Sequence, residues 1–113
     1  MCIFCDIIEG KIPSTKVYEN DYVYCFRDIN PVTPTHVLVV PKKHFDDIMD
    51  IASSEECALY MGEISKGINE VAKIEGLEKG FRVINNCREM GGQTVNHIHF
   101  HVLGGVQFTE KMV

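Results

Sequence analysis

The stretch His97-Ile98-His99-Phe100-His101-Val102 sets three of the chain's five histidines at two-residue spacing, with apolar residues between them. In a β-strand alternate side chains share a face, so the imidazoles point one way and Ile98, Phe100 and Val102 the other. The spacing predicts a strand over 95–103 that is half core and half chemistry. At about 3.3 Å per residue the outer two Cα atoms stand roughly 13 Å apart, too far for one ion with Zn–N bonds of about 2 Å to hold all three rings. A row of imidazoles with separate duties fits better, because imidazole serves as nucleophile, proton donor or ligand near neutral pH. Gly91-Gly92 before the row and Gly104-Gly105 after it let a backbone approach a ligand closely. The alternative, from these residues alone, is a solvated histidine run on an edge strand.

Outward from this strand, the chain reads as α+β. Phe4 to Glu9 suits a short helix stopped by Gly10 and Pro13. Lys16 to Tyr18, Val23 to Arg27 and His36 to Val40 read as strands between turn-rich segments, and Phe81 to Asn85 as a fourth. Ser53-Ser54-Glu55-Glu56 matches a capping box opening a long helix, whose Cys57, Met61, Ile64, Ile68 and Val71 recur at spacings of four and three. That stripe is the face packed on the sheet. Short strands joined by tight turns predict a five-stranded antiparallel sheet with one long and one short helix on one face. The 113 residues, 45% hydrophobic, suffice for one domain, 1–113, with a real core.

A net charge of −5 with no Lys/Arg-rich run argues against a nucleic-acid surface. No apolar stretch approaches membrane-spanning length, and Met1 to Asp6 lacks the pattern of a signal peptide. The expected location is the cytoplasm. Five cysteines, an odd number, do not suggest a disulfide framework in a chain that can fold by core packing. Cys2-x2-Cys5 has the spacing of half a zinc site, although two unliganded thiols fit the same spacing.

The run from Gly91 to Gly105, with its Gln93-Thr94-Val95-Asn96-His97-Ile98-His99-Phe100-His101 centre, resembles the signature of the histidine triad (HIT) nucleotide-binding proteins. Phe26-Arg27-Asp28-Ile29-Asn30-Pro31 and Pro34-Thr35-His36-Val37-Leu38-Val39-Val40-Pro41-Lys42-Lys43-His44 are similar to that family's upstream blocks. The likeness runs from about Cys2 to Gly105, and within the family it lies nearest the small phosphoramidate hydrolases. It implies a five-stranded sheet and a homodimer joined edge to edge.

The same resemblance implies the site residues. His99 is the nucleophile and His101 a hydrogen-bond donor to the phosphate. Thr94 contacts the phosphate and the leaving group, with backbone donors from Gly92 and Gln93 nearby. Asp28 takes the ribose hydroxyls, Phe26 and Ile29 the base, and Asn86 the phosphate side, where neighbouring Asn85 competes for the role. His36 lies close to the triad and orients an imidazole. Taken alone, Thr94 reads as an exposed loop residue, Asp28 as a turn cap before Asn-Pro and His36 as a hydrogen-bonded core histidine. The resemblance further implies one structural zinc held by Cys2, Cys5, His44 and His97, leaving His99 free to attack. The chain departs from the family at Asn96, where an aromatic or larger residue is common, and it has no tryptophan.

The implied function is hydrolysis of purine nucleoside phosphoramidates, such as adenosine monophosphoramidate, through a covalent nucleotidyl-histidine. Two alternatives stand beside it: dinucleoside polyphosphate hydrolysis, and a nucleotide- or protein-binding module with incidental turnover.

Overall fold

A computed structural model describes residues 2–111; Met1, Met112 and Val113 of the 1–113 domain lie outside the described residues. The β-branched and aromatic runs pair into one antiparallel sheet of β1 (Lys16–Glu19), β2 (Val23–Arg27), β3 (Thr35–Pro41), β4 (Arg82–Ile84) and β5 (Phe100–Gly104). Its order is β1-β2-β3-β5-β4. The helices are α1 (Ile3–Ile8), α2 (Ile48–Ala52) and α3 (Cys57–Glu75).

Alternation divides the sheet into two faces. Val23, Cys25, Val37, Val39, Ile98, Phe100 and Val102 pack with Ile64, Val71 and Ala72 of α3. Tyr24, Phe26, Leu38 and Val40 pack with Phe4 and Ile7 of α1. Helices therefore cover both faces, correcting the one-sided arrangement expected from sequence. The apolar pair Phe4 and Ile7 gives the short N-terminal helix a hydrophobic layer of its own to cover. At Gly67, α3 comes so close to the sheet that a Cβ would meet Val23 Cγ2 at 3.0 Å. A methyl there would crowd the Val23 side chain, and one of the two would have to give way. Arg27, at the end of β2, grips Glu75, at the end of α3, through two hydrogen bonds of 2.7 and 2.8 Å.

Three boundaries differ from the sequence reading. The capping box at Ser53 does not form: Ser53 closes α2, its N–H bonding to the carbonyls of Met49 and Asp50 and its Oγ–H to that of Met49. Helix α2 itself, capped by Asp47 Oδ1 accepting from the Asp50 N–H at 2.9 Å, was not expected, and α3 begins only at Cys57. Strand β5 begins at Phe100, not Val95. The β3–β5 pairing stops at Val39↔Phe100 and β4 ends opposite His101, so His97 to His99 lack a strand partner on either side. Instead the Ile98 N–H bonds to the Phe45 carbonyl at 2.7 Å, and Asn85 Nδ2–H donates to the His99 carbonyl at 3.0 Å. The alternation survives without the ladder: Ile98 is fully buried in the α3 layer, while the His97 and His99 rings pack edge-on to Phe4 of α1.

Candidate active site and metal cluster

The histidine row lies on the α1 face, where burial and main-chain partners decide what each nitrogen can do. His99 Nδ1 lies 2.8 Å from the His97 carbonyl, which can only accept. The proton is therefore on Nδ1, and Nε2 of the neutral ring keeps its lone pair. Burial holds His99 below the ordinary imidazole range, which favours that neutral form.

His36 and His101 form a second directional pair. The Val32 N–H donates to His36 Nδ1 at 3.2 Å, so His36 carries its proton on Nε2. Nε2–H faces two acceptors, His101 Nδ1 at 2.8 Å and Asp28 Oδ2 at 3.4 Å. His101 then carries its own proton on Nε2, available as a donor. Burial, together with the neighbouring His99 and His36, pushes His101 down to about 4. Burial also lowers His36, against the pull of Asp28.

A cavity of about 240 Å³ is lined by Phe26, Asp28, Ile29, Thr94, His99 and His101, with Ile3, Phe4, Arg27, Leu38 and Val95 completing its wall. The structure thus brings together six candidate residues from three separate stretches of sequence, with His36 one hydrogen bond behind them. Asp28 also accepts the Asn30 N–H at 2.8 Å, so it caps its turn as well as facing the cavity. A larger groove, about 460 Å³, between Gly76–Phe81 and Gly105–Phe108 contains none of the candidate residues.

Three candidates sit differently from expectation. The Gly92 and Gln93 N–H groups, expected as phosphate donors, are already engaged by the carbonyls of Glu89 and Arg88 at 3.0 Å each. A tight 3₁₀ turn, Glu89–Gly91, folds them inward. Gln93 instead acts through its side chain, donating to the carbonyls of Asp46 and Val95 and accepting the Arg88 N–H. Asn86 does not line the cavity, and its neighbour Asn85 is the one that touches the histidine row. Arg88 has φ +61° and ψ −178°, a conformation rare outside glycine. It is held by Gln93 and by an ion pair to Asp47 at 2.9 Å.

Beside the cavity, Cys2, Cys5, His44 and His97 converge with all four ligand atoms within 4.8 Å of one another. His97 Nδ1 lies 3.2 Å from Cys2 Sγ, 3.5 Å from Cys5 Sγ and 3.2 Å from His44 Nδ1. A tetrahedral ion with bonds of about 2.0 to 2.3 Å separates its ligands by roughly 3.3 to 3.8 Å, close to these spacings. The remaining ring nitrogens are held in place: His97 Nε2–H donates to the Pro41 carbonyl at 2.8 Å, and His44 Nε2 meets Asp46 Oδ1 at 2.7 Å. Both Nδ1 lone pairs therefore face the same point, the arrangement a cation requires and the outer-shell pattern metal-binding histidines adopt. Burial, foremost, drives His97 down to about 4, which keeps it an unprotonated ligand. The second acidic and histidine grouping, Asp28, His36 and His101, is already satisfied by its own hydrogen bonds.

Sequence reasoning missed Ile3 and Phe4 as cavity residues and Asp46 as the partner of His44. The first two were legible only in their position between Cys2 and Cys5, which ties them to whatever those thiols hold.

Comparison with known proteins bears on the family and the fold. A family profile described as HIT domain matches residues 9–108. A purine nucleoside phosphoramidase of Escherichia coli (strain K12) is 43% identical over 104 residues, covering 91% of this chain and 86% of that protein. A 14 kDa zinc-binding protein of Zea mays is 48% identical over 106 residues, covering 93% of this chain and 82% of that protein. The solved structure of a histidine triad protein from Clostridium difficile superposes with a TM-score of 0.90 at 50% identity, covering 98% of this chain and 96% of that one.

Proposed function

The chain belongs to the HIT domain family, and from that premise we propose that it is a purine nucleoside phosphoramidate hydrolase, cleaving P–N bonds through a covalent nucleotidyl intermediate on His99. The observation that carries this is the His99 Nδ1 to His97 carbonyl hydrogen bond, which leaves Nε2 as an unprotonated nitrogen on a ring lining the cavity. Attack by Nε2 on phosphorus forms an N–P bond as the substrate's P–N bond breaks. The leaving nitrogen takes a proton from solvent water and departs as an amine, and Thr94 lines the same cavity. His101 Nε2–H donates to a non-bridging oxygen as negative charge builds there. Water then attacks the nucleotidyl-imidazole, releasing a nucleoside monophosphate and restoring neutral His99; the net change is addition of water across P–N. Phe26, Ile29 and Leu38 offer an apolar wall to a purine, and Asp28 accepts from ribose hydroxyls.

The deciding measurement is turnover of an adenosine alkyl- or aminoacyl-phosphoramidate compared with diadenosine polyphosphate. The phosphoramidate is expected to be the better substrate by kcat/KM. Preference for the polyphosphate would move the protein to the second enzyme class, and tight nucleotide binding with negligible turnover of either would make it a binding module.

Zinc is the metal we assign to Cys2, Cys5, His44 and His97. Four protein ligands leave no open position for water, so the ion would tie the N-terminus to the histidine row and take no chemical step. No helix among the described residues is long and apolar enough to cross a membrane. The five cysteines form no disulfide, which suits a reducing compartment and is the basis for placing the protein in the cytoplasm. We infer a homodimer from β4, which ends the sheet and pairs on one side only, leaving an edge that a second copy would cover. Sedimentation at micromolar concentration is expected to give twice the mass of one chain; a monomer alone would contradict the dimer.

A further inference from the structure

Cys2 and Cys5 are metal-cluster residues, and the two residues between them, Ile3 and Phe4, form part of the cavity wall. One turn of helix therefore serves both sites. Helix α1 has six residues, too few to hold a helix by its own hydrogen bonds. Its first turn is capped by a candidate ligand, Cys2 Sγ, which accepts the Cys5 N–H at 3.3 Å. Phe4 lies edge-on to the His99 ring, 5.1 Å between centroids, and to Phe26, 5.5 Å. His97 makes a second connection: Nδ1 faces the cluster while its carbonyl holds the His99 Nδ1 proton.

We propose that metal binding and purine nucleotide binding are positively coupled through α1, the bound ion fixing Ile3 and Phe4 as the wall against which the base packs. This rests on reading the cavity as the nucleotide site. Coupling must be reciprocal: whatever factor zinc contributes to nucleotide affinity, nucleotide contributes to zinc affinity. Phe4 and Ile7 are buried in the sheet layer and retain part of the helix without metal, which sets the size of the effect. A factor of about 5 to 10, the lower part of the usual range, is expected. It acts on binding, because His99 is not itself a ligand.

The test is calorimetric titration of AMP into metal-stripped protein and into the same protein with one equivalent of zinc. It is paired with zinc affinity from competition against a chromophoric chelator, with and without saturating AMP. Zinc is expected to tighten AMP binding about fivefold or more, and AMP to tighten zinc binding by the same factor. Ile3→Ala, at a half-exposed position, is expected to fold, to take up zinc normally without AMP, and to lose most of the mutual tightening. Cys2→Ser/Cys5→Ser is expected to bind AMP like stripped wild type whether or not zinc is added. Equal AMP affinity in stripped and loaded protein overturns the coupling and leaves the nucleotide reading standing. An Ile3→Ala protein in which AMP tightens zinc as much as in wild type overturns the route through α1, an arm that holds even if the stripped protein unfolds. Failure of both forms to bind AMP overturns the nucleotide reading and the coupling with it. Failure of reduced, untagged protein to take up zinc overturns the coupling and the zinc assignment, and leaves the nucleotide reading standing.

Discussion

His99→Ala is expected to lower phosphoramidate turnover by roughly four orders of magnitude or more while AMP still binds. In the proposed mechanism the ring supplies the attacking Nε2, and no other nitrogen in the row can replace it. His97 has Nε2–H on the Pro41 carbonyl and Nδ1 in the metal cluster, while His101 has Nδ1 engaged by His36. Binding is expected to survive because Phe26, Asp28, Ile29 and Leu38 remain to line the cavity. In wild type, rapid quench followed by intact-protein mass spectrometry should show an added nucleotidyl group, absent from the variant. Comparable turnover in His99→Ala would sink the covalent assignment. His101→Ala, which removes a donor and leaves the nucleophile, should lose less, roughly 10²- to 10³-fold.

Cys2→Ser/Cys5→Ser is expected to lose zinc and to melt about 10 °C earlier than zinc-loaded wild type. An ion that binds only the folded state, at a free concentration a hundred times its dissociation constant, contributes about 2.7 kcal/mol. In a domain of this size each kcal/mol moves the midpoint by roughly 4 °C. Elemental analysis checks the metal, and thermal melting with and without chelator checks the stability. At saturating substrate the variant should keep much of its turnover, since an ion closed in by four protein ligands would take no part in the chemical step. Turnover that rises and falls with zinc content even at saturation would make the metal catalytic and displace the covalent-histidine mechanism.

Period-two spacing was enough to sort Ile98, Phe100 and Val102 from the histidines, whereas Val23 to Phe26 and Val37 to Val40 are apolar throughout, and only the fold shows a helix on each of their two faces. The stripe on α3 was legible for the same reason, since Ile64 and Val71 are buried where helical spacing puts them. Other features were hidden because local patterns compete. Ser53 suits either end of a helix, and only tertiary placement of α2 against the core, through fully buried Ile51, decides that it terminates one. The Gly91-Gly92 pair fits a phosphate cradle equally well, but the carbonyls of Arg88 and Glu89 take the N–H groups first. Ile3 and Phe4 look like ordinary core residues until the cavity forms beside them. The joining of Cys2 to His97 across 95 residues is a property of the fold that no local window contains.

In each of His36, His97 and His99 the proton is placed by a main-chain atom: the Val32 N–H, the Pro41 carbonyl and the His97 carbonyl respectively. The chemical differences among identical side chains are therefore written in the path of the backbone. Three histidines grafted at alternate positions on a strand of some unrelated scaffold would carry the spacing but leave each tautomer to thermal chance. Such a transplant would need the surrounding carbonyls and the Val32 turn as well, which makes the loop geometry, more than the triplet itself, the portable unit of this site.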